Sequence, residues 1–199
     1  MRVSAVLLAA GCSSRMGQPK QILPFLGATM IRTVVDSALA SKCVDVHVVV
    51  GAFADQISEE LSELPVKIHR NPDWEQGMGT SIRCGVLAAA CDPALDAILL
   101  LLADQPFVTA NIINQLIDTA ESSNAPIIAS AYQETVGVPS LFTRSTFHDL
   151  SHLPPQSGAK PIIERSSGCI IIPVPEAAFD IDTLDDYRSA CQPDQPATN

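Results

Sequence analysis

Short apolar runs alternate with segments of helical periodicity along most of the chain. Five runs rich in valine, isoleucine and leucine predict strands at Val3 to Leu8, Val46 to Val50, Val66 to His69, Ile98 to Leu102 and Ile127 to Ala131. In most of these runs apolar residues dominate without regular polar alternation, which is typical of strands buried on both faces of a parallel sheet. We therefore expect a layered α/β fold, with helices covering both faces of a mostly parallel sheet.

Hydroxyl residues mark the predicted beginnings of the helices. Thr29 precedes one helical segment, the pair Thr80 and Ser81 precedes a second, and Thr109 precedes a third. Near the end of the chain, the sequence Thr-Leu-Asp-Asp from Thr183 predicts a capping box at the start of the last helix.

The alternation changes after Ala131. Residues 132–173 hold a Gly-Val-Pro stretch, a short apolar pair and an isolated strand at 168–173, and we interpret them as a small insertion or lid of mixed structure. A chain of 199 residues can bury about 70% of its unfolded surface as one domain. We expect that single domain to cover residues 1–191, followed by a frayed polar tail at 192–199.

The composition narrows the classes of partner. There are 12 Lys+Arg against 22 Asp+Glu, a net charge of −10, which argues against a general nucleic-acid binder. The apolar run from Ala5 to Gly11 is too short for a membrane span or a secretory leader, so we expect a cytoplasmic protein without a membrane partner. The six cysteines lack metal-ligand spacing and are expected to be free thiols.

The loops after the strands carry the candidate chemistry, because ligands of an open parallel sheet bind at the carboxyl ends of its strands. The first loop, residues 9–20, combines small residues with two cations, Arg15 and Lys20, and so indicates an anionic ligand. It matches neither the Walker A pattern nor GxGxxG. The alternative is a tight turn with solvated cations.

The second loop, residues 71–81, ends in Gly77, Gly79, Thr80 and Ser81 at a predicted helix N-terminus. Such an end can receive a base edge, a ribose or a phosphate. The two hydroxyl residues would also cap the helix, and the two roles are compatible. We interpret Trp74 as an anchor of this loop rather than as a stacking platform.

Carboxylates follow the most hydrophobic strand and precede the last helix. Asp104, beside Gln105 and Pro106, is a candidate Mg²⁺ ligand, since Mg²⁺ takes one or two protein carboxylates together with substrate phosphates. Asp180 and Asp182 offer a second carboxylate, on the same side of an extended segment. The alternatives are capping of a turn by Asp104 and a structural role beside the helix start for the other two.

Four spaced motifs resemble those of the MobA-like nucleotidyltransferases, and within them those of the molybdenum cofactor cytidylyltransferases. They are Leu8-Ala9-Ala10-Gly11 with Ser13, Arg15-Met16-Gly17 and Lys20; Asn71-Pro72-x-Trp74 with Gly77-Met78 and Ser81; Asp104-Gln105-Pro106; and Asp180-Ile181-Asp182-Thr183. The resemblance covers nearly the whole chain in order. It implies a three-layer, Rossmann-like sheet of the glycosyltransferase-A type, and transfer of a nucleoside monophosphate from an NTP to a phosphate-bearing acceptor with release of pyrophosphate.

For the cytidylyltransferase group the implied donor is CTP and the implied acceptor is the terminal phosphate of molybdenum-loaded molybdopterin. By this resemblance Arg15 and Lys20 are catalytic cations, and Asp104 and Asp182 hold Mg²⁺, with Mn²⁺ as the alternative metal. The positions that match the nucleotide cradle are Ala9, Ala10, Gly11, Ser13, Gly77 and Ser81. The implied protein partner is a molybdoenzyme of the xanthine dehydrogenase type or its chaperone.

On the acceptor side, Gly137 and Pro139 match a Gly-x-Pro pattern of the family, and Lys160 stands where family members often have arginine. Lysine lacks the planar fork of arginine, so the grip on an acceptor phosphate would differ. The methyl group of Ala10 favours a pyrimidine, because the guanylyl group tends to have glycine there. The alternatives are a guanylyl or other NTP transferase with a different phosphorylated acceptor, and a non-catalytic nucleotide- or cofactor-binding maturation partner.

Overall fold

The computed structural model describes residues 1–13 and 16–191. Its strands are β1 Val3–Ala9, β2 Pro24–Phe25, β3 Ala28–Thr29, β4 Asp45–Val50, β5 Lys67–Arg70, β6 Ala97–Leu102, β7 Ile127–Tyr132, β8 Thr135–Thr143 and β9 Ile170–Pro173. Its α-helices are α1 Met30–Leu39, α2 Ala54–Glu60, α3 Met78–Ala89, α4 Ala110–Ser122, α5 Phe147–Ser151, α6 Lys160–Arg165 and α7 Leu184–Ala190. Arg15 and the tail 192–199, which were both subjects of prediction, lie outside the described residues.

Seven strands form one sheet in the order β5-β4-β1-β6-β8-β7-β9. Strand β8 runs antiparallel to both of its neighbours, and the other adjacent pairs are parallel. The five strands predicted from apolar runs are β1, β4, β5, β6 and β7, each with both ends within one residue of the prediction. The predicted mostly parallel sheet is confirmed.

Helices cover both faces of the sheet, as predicted. Strand β1 is buried along its whole length, and its side chains alternate between two hydrophobic cores. Ala5 and Leu7 join the core under α1, α2 and α4, whereas Val6 and Leu8 join the core under α3, α5 and α6. The sheet is therefore the middle of three layers, with its loops free to build a site at one edge. Within the described part of the chain, every helix is too short or too polar to cross a membrane.

Two of the predicted helix starts are confirmed by their capping bonds. The Oγ1 atom of Thr29 accepts a hydrogen bond from the backbone N–H of Arg32 at the start of α1. Thr183 and Asp186 form the predicted reciprocal capping box at the start of α7. Thr109 is the N-cap residue of α4 by its extended backbone, but its side chain makes no capping bond.

The predicted start of α3 at Thr80 and Ser81 is wrong, because the helix begins earlier, at Met78. Gly77 is its N-cap residue, with a φ of 126° that favours glycine. Thr80 therefore lies inside the first turn, where its Oγ1 atom donates to the carbonyl oxygen of Gly77 at 2.8 Å. The earlier start places one more helical turn beside the loop that ends at Gly77.

Segment 132–173, predicted to be an insertion of mixed structure, contributes β8 and β9 to the main sheet. Strand β8 lies between β6 and β7, and β9 pairs in parallel with β7, with Ile128 opposite Ile170. The strand expected to be isolated is thus the sheet edge. Two short helices, α5 and α6, and the loop between them cover the second core on the α3 face.

A histidine pair joins β4 to β5 on the same side of the sheet as α3. The Nδ1 atom of His47 lies 2.9 Å from the Nε2 atom of His69, and the two rings are stacked. Burial lowers the pKa of His47 to about 4, with further lowering by the charges of His69 and Lys67. Burial also lowers the pKa of His69.

We expect the protein to lose stability as the pH falls from about 6.5 to about 4. In this window the unfolded chain protonates His47 and the folded chain does not, so unfolding takes up a proton. The contribution of His47 to this loss is at most about 3 kcal/mol, and the lowered pKa of His69 adds to the loss in the same direction. Urea denaturation across this window should show a flatter pH dependence for His47→Leu than for the wild type. His148→Gln, at an exposed histidine, is the control, and an unchanged slope in His47→Leu would contradict the assignment.

Candidate active site

One cavity of about 430 Å³ opens at the carboxyl ends of β1 and β6, a size typical of small-ligand sites. It lies at the edge where loops of a parallel sheet hold ligands. The structure brings nine of the predicted site residues to its wall: Ala9, Ala10, Gly11, Ser13, Lys20, Gly77, Ser81, Asp104 and Asp182. Arg15, the second predicted cation, lies outside the described residues.

Lys20 joins the two predicted metal-binding carboxylates. Its Nζ atom donates to Oδ2 of Asp104 at 2.8 Å and to Oδ1 of Asp182 at 2.7 Å. Burial by itself lowers the pKa of Lys20, but the two carboxylates outweigh burial, so the pKa lies above its ordinary value. The lysine is therefore a fixed positive charge on the cavity wall.

The two carboxylate oxygens of Asp104 have different environments. Its Oδ2 atom is taken by Lys20, while its Oδ1 atom is buried and has no hydrogen-bond partner among the described residues. A buried carboxylate oxygen without a partner is energetically costly, and a bound cation removes that cost. Residues 1–13 and 16–191 contain no cluster of three or more potential metal-ligating side chains. A cation at Asp104 would therefore take most of its ligands from substrate or water, as Mg²⁺ commonly does.

The segment before α7 is fixed by local capping bonds and by a long-range backbone bond to Asp104. The backbone N–H groups of Asp182 and Thr183 both donate to Oδ2 of Asp186. The backbone N–H of Ile181 donates to the carbonyl oxygen of Asp104 at 3.0 Å, and the Ile181 side chain is buried. These contacts place Asp182 beside Lys20, although the two residues are 162 positions apart in sequence.

Gln21 is a site residue that the sequence analysis missed. Its buried side chain donates from Nε2 to the carbonyl oxygen of Gly11 at 3.1 Å and accepts at Oε1 from Ser13 at 3.2 Å. The Oγ atom of Ser13 in turn accepts from the backbone N–H of Lys20. The amide of Gln21 thus closes the first loop on itself, and its only sequence signal was its position next to Lys20.

Asn71 braces the second loop against α3. Its buried Nδ2 atom donates to Oγ1 of Thr80 at 2.8 Å and to Oγ of Ser81 at 3.0 Å. Trp74 packs against Gly51, where an added Cβ atom would lie 2.7 Å from the Trp74 Cβ atom. That contact is the one expected of an anchor, and Trp74 also lines the cavity.

Glycine at the start of α3 allows a neighbouring loop to dock. The backbone N–H of Gly79 donates to the carbonyl oxygen of Pro155 at 2.9 Å. A Cβ atom on Gly79 would lie 2.1 Å from the carbonyl oxygen of Pro154, and one on Gly77 would lie 2.5 Å from that of Pro155. The loop before α6 is thereby held against the helix end that lines the cavity.

The predicted acceptor-side residues lie away from this cavity wall. Gly137 faces the Tyr132 hydroxyl, where an added Cβ atom would lie at 2.8 Å. The carbonyl oxygen of Pro139 accepts from Ser130 at 2.6 Å, and the Nζ atom of Lys160 donates to Oγ1 of Thr135 at 2.7 Å. All three belong to the half of the molecule built on β7, β8 and α6.

Asp180 links the two halves electrostatically. Burial raises its pKa, and the charges of Asp104 and Asp182 raise it further. Burial also raises the pKa of Tyr132, and the charge of Asp180 adds to that effect. The chain segment that leads to Asp180 is held by Gln105, whose Nε2 atom donates to the carbonyl oxygen of Ala177 at 2.9 Å.

Comparison with known protein families and curated proteins gives a consistent result. The model of the MobA-like NTP transferase domain matches residues 5–169. The purine catabolism protein PucB of Bacillus subtilis is 31% identical over 195 residues, covering 92% of each chain. The molybdenum cofactor cytidylyltransferase of Escherichia coli is 26% identical over 190 residues, covering 94% of this chain and 95% of that protein. Nicotine blue oxidoreductase of Paenarthrobacter nicotinovorans is 35% identical over 116 residues, which cover 58% of this chain and only 55% of that protein.

Solved structures share the whole fold. The crystal structure of Rv0371c from Mycobacterium tuberculosis is 28% identical, with a TM-score of 0.83, and covers 96% of this chain and 97% of that one. A manganese complex of Rv0371C is 26% identical, with a TM-score of 0.79, and covers 96% and 98% of the two chains. The similarity extends over nearly all of each chain and so includes the sheet edge that carries the cavity.

Proposed function

Because the chain belongs to the MobA-like NTP transferase family, we propose that it transfers CMP from CTP to the terminal phosphate of molybdenum-loaded molybdopterin. The molybdenum cofactor cytidylyltransferase of Escherichia coli, similar over nearly the whole chain, supports this choice of nucleotide and acceptor. A molybdoenzyme of the xanthine dehydrogenase type, or its chaperone, is the proposed recipient of the product.

The observation that carries the proposal is the Lys20 ammonium group between Asp104 and Asp182, on the wall of the cavity. A triphosphate donor and a phosphate acceptor bring many negative charges together, and their repulsion must be offset during transfer. A fixed ammonium group and a carboxylate with a free oxygen for a cation suit that requirement. The small residues Gly11 and Ser13 allow the nucleotide to approach the backbone closely.

In the proposed reaction a terminal phosphate oxygen of the acceptor attacks the α-phosphorus of CTP. The new bond is phosphorus to oxygen, and the bond from the α-phosphorus to the bridging oxygen breaks, so that pyrophosphate leaves with the electron pair. The acceptor phosphate is already ionised, so no side chain has to remove a proton. The protein's task is to position both phosphates and to offset charge, with Lys20 as the described cation and Arg15 as the proposed second one.

A divalent cation, Mg²⁺ or alternatively Mn²⁺, fits this chemistry. The free Oδ1 atom of Asp104 and the nearby carboxylate of Asp182 are the proposed ligands. The manganese complex of the similar Rv0371C supports divalent metal binding in this fold. When bound, the cation would offset charge on the donor phosphates, and Lys20 keeps Oδ2 of Asp104 oriented.

Ala10 is proposed to limit the size of the base. Its side chain is nearly buried at the cavity wall, and an added Cβ atom on Gly51 would lie 2.7 Å from its carbonyl oxygen. The close approach of Gly51 holds the Ala10 backbone in place, so its methyl group cannot easily move aside for a larger base. One methyl group discriminates by about 1–3 kcal/mol.

The proposal is tested by calorimetric titration of CTP, GTP, ATP and UTP, each with and without Mg²⁺. We expect tight Mg²⁺-dependent binding of CTP, followed by CTP-dependent pyrophosphate release when molybdenum-loaded molybdopterin is added. Ala10→Gly should gain about tenfold in GTP affinity relative to CTP, whereas Ala94→Gly, on an exposed turn, should not. A GTP preference in the wild type would assign the guanylyl activity instead. Absence of binding to all four nucleotides would favour a non-catalytic partner.

A further inference from the structure

Three phenylalanine rings form a row that ends at the surface beside the candidate active site. Phe25 is buried, and its ring centroid lies 5.6 Å from that of Phe107, with the planes at 79°. The ring centroid of Phe107 lies 5.6 Å from that of Phe179, with the planes at 69°. Phe179 is 61% exposed. Each ring therefore holds the next one in an edge-to-face contact, and the outermost ring is left largely in solvent.

The exposed ring is close in sequence and in space to the proposed metal ligands. Phe179 is followed by Asp180 and precedes Asp182 by three positions. The intervening Ile181 is fixed by its backbone bond to Asp104 and by burial of its side chain against Phe25. The position of Phe179 is thus set on one side by the aromatic row and on the other by the carboxylate segment.

Phe179 lies outside the described cavity wall, on the segment that leads into the carboxylates. Its segment arrives from β9, where the backbone N–H of Val174 donates to the carbonyl oxygen of Ala131. The cavity is instead lined by the loop after β1, the loop before α3 and the end of β6, and neither Phe107 nor Phe179 is part of the described wall. A nucleotide that fills that cavity would leave the exposed ring of Phe179 uncovered and available to the second substrate.

An exposed aromatic ring that is held rigid is suited to stacking. A phenylalanine side chain has two rotatable bonds, so little entropy is lost when it binds a ligand, and its face stacks on planar rings of many kinds. The adjacent Asp180 carries a carboxylate that can accept hydrogen bonds from ring N–H groups. Together they offer a platform and a polar group to a planar heterocycle.

We propose that Phe179 is a specificity-determining residue that stacks on a planar heteroaromatic ring of the acceptor. This inference rests on the proposed function, because it assumes an acceptor whose phosphate is carried on an arm attached to such a ring. The phosphate reaches toward Lys20 while the ring lies against Phe179, outside the cavity that holds the nucleotide. Acceptors that carry a phosphate without a ring are then bound more weakly.

The experiment measures binding directly, with a fluorescent pterin that carries a phosphate on its side chain as the probe and glycerol 3-phosphate as the ring-free comparison. We expect Phe179→Ala to weaken probe binding about tenfold, in line with the usual contribution of a stacked base, and to leave the Kd of CTP with Mg²⁺ unchanged. Phe179→Trp should keep the affinity. Leu87→Ala, which removes an equally exposed apolar side chain on α3, is the matched control and should have no effect.

A folding defect is separated from lost stacking by Phe179→Leu, which keeps an apolar side chain against Phe107 but has no aromatic face. It should weaken probe binding as much as Phe179→Ala does. The inference is overturned if the wild type binds the pterin phosphate no better than glycerol 3-phosphate, or if the alanine and leucine variants bind it as well as the wild type. If CTP binds normally in either case, the proposed function stands. If CTP itself does not bind, the proposed function fails independently of the probe.

Discussion

Replacing Lys20 with alanine is expected to lower kcat for pyrophosphate release by about 10² to 10³-fold, with less than about a tenfold change in the Kd of CTP. The ammonium group is fixed between two carboxylates before any substrate arrives, so it needs no rearrangement when charge develops on the leaving pyrophosphate. Such a preorganised charge acts more strongly on the transition state than on bound substrate. The measurement is turnover with varied CTP, together with direct titration of CTP.

Two further variants separate charge from packing and from general effects of lysine removal. Lys20→Met keeps most of the side-chain volume without the charge and should lose as much turnover as Lys20→Ala. Lys42→Ala also breaks a lysine–aspartate pair, but that pair, with Asp118, is exposed and is not part of the described cavity wall, so turnover should not change. Equal losses in turnover and in CTP binding for both Lys20 variants would argue against a transition-state role.

Most of the sheet could be predicted because the sequence of each predicted strand carries its own apolar pattern. A strand buried on both faces requires apolar residues at nearly every position, and β1, β4 and β6 meet that requirement along most of their length. Strand β8 escaped prediction as part of the sheet because Gly137 and Pro139 interrupt its apolar run. Its position between β6 and β7 depends on pairing with those two strands, which the sequence of β8 alone does not indicate.

The same distinction holds for the candidate site. Lys20, Asp104 and Asp182 were found from motifs, yet their contact across 84 and 162 positions depends on the strand order. The start of α3 was misplaced because Thr80 looks like a cap locally, whereas Gly77 is favoured as the helix boundary by its positive φ and by the docked loop at Pro155. Long-range packing of this kind leaves no short-range signal.

The aromatic row shows what sequence reasoning omits when residues are distant in the chain. Phe25, Phe107 and Phe179 come from a short hairpin, the loop after β6 and the segment before α7. In the sequence, each of these three phenylalanines is indistinguishable from an ordinary apolar residue near a turn. Only their edge-to-face contacts show that the last ring is fixed and exposed beside the carboxylates.

Asp104→Asn is expected to remove most of the Mg²⁺ dependence of CTP binding and to lower kcat by at least about 10²-fold. The change preserves the shape of the side chain but removes the negative charge that a cation at Oδ1 requires. It also leaves Lys20 with Asp182 as its one remaining carboxylate in the described site, so the ammonium group is held less firmly. Mn²⁺ binding followed by electron paramagnetic resonance, with and without CTP, measures the metal site without relying on turnover.

The control for this substitution is Asp118→Asn, which removes the carboxylate of an exposed lysine pair and should leave metal and nucleotide binding unchanged. The expected pattern for Asp104→Asn is weak Mn²⁺ binding even when CTP is present, because substrate phosphates alone supply too few fixed ligands. If Asp104→Asn instead binds Mn²⁺–CTP as the wild type does but still turns over slowly, the carboxylate acts by orienting Lys20 and not by holding the cation. That result would assign the metal to Asp182 and the substrate phosphates. The contact between Lys20 and Asp104 would then be the catalytically important role of Asp104.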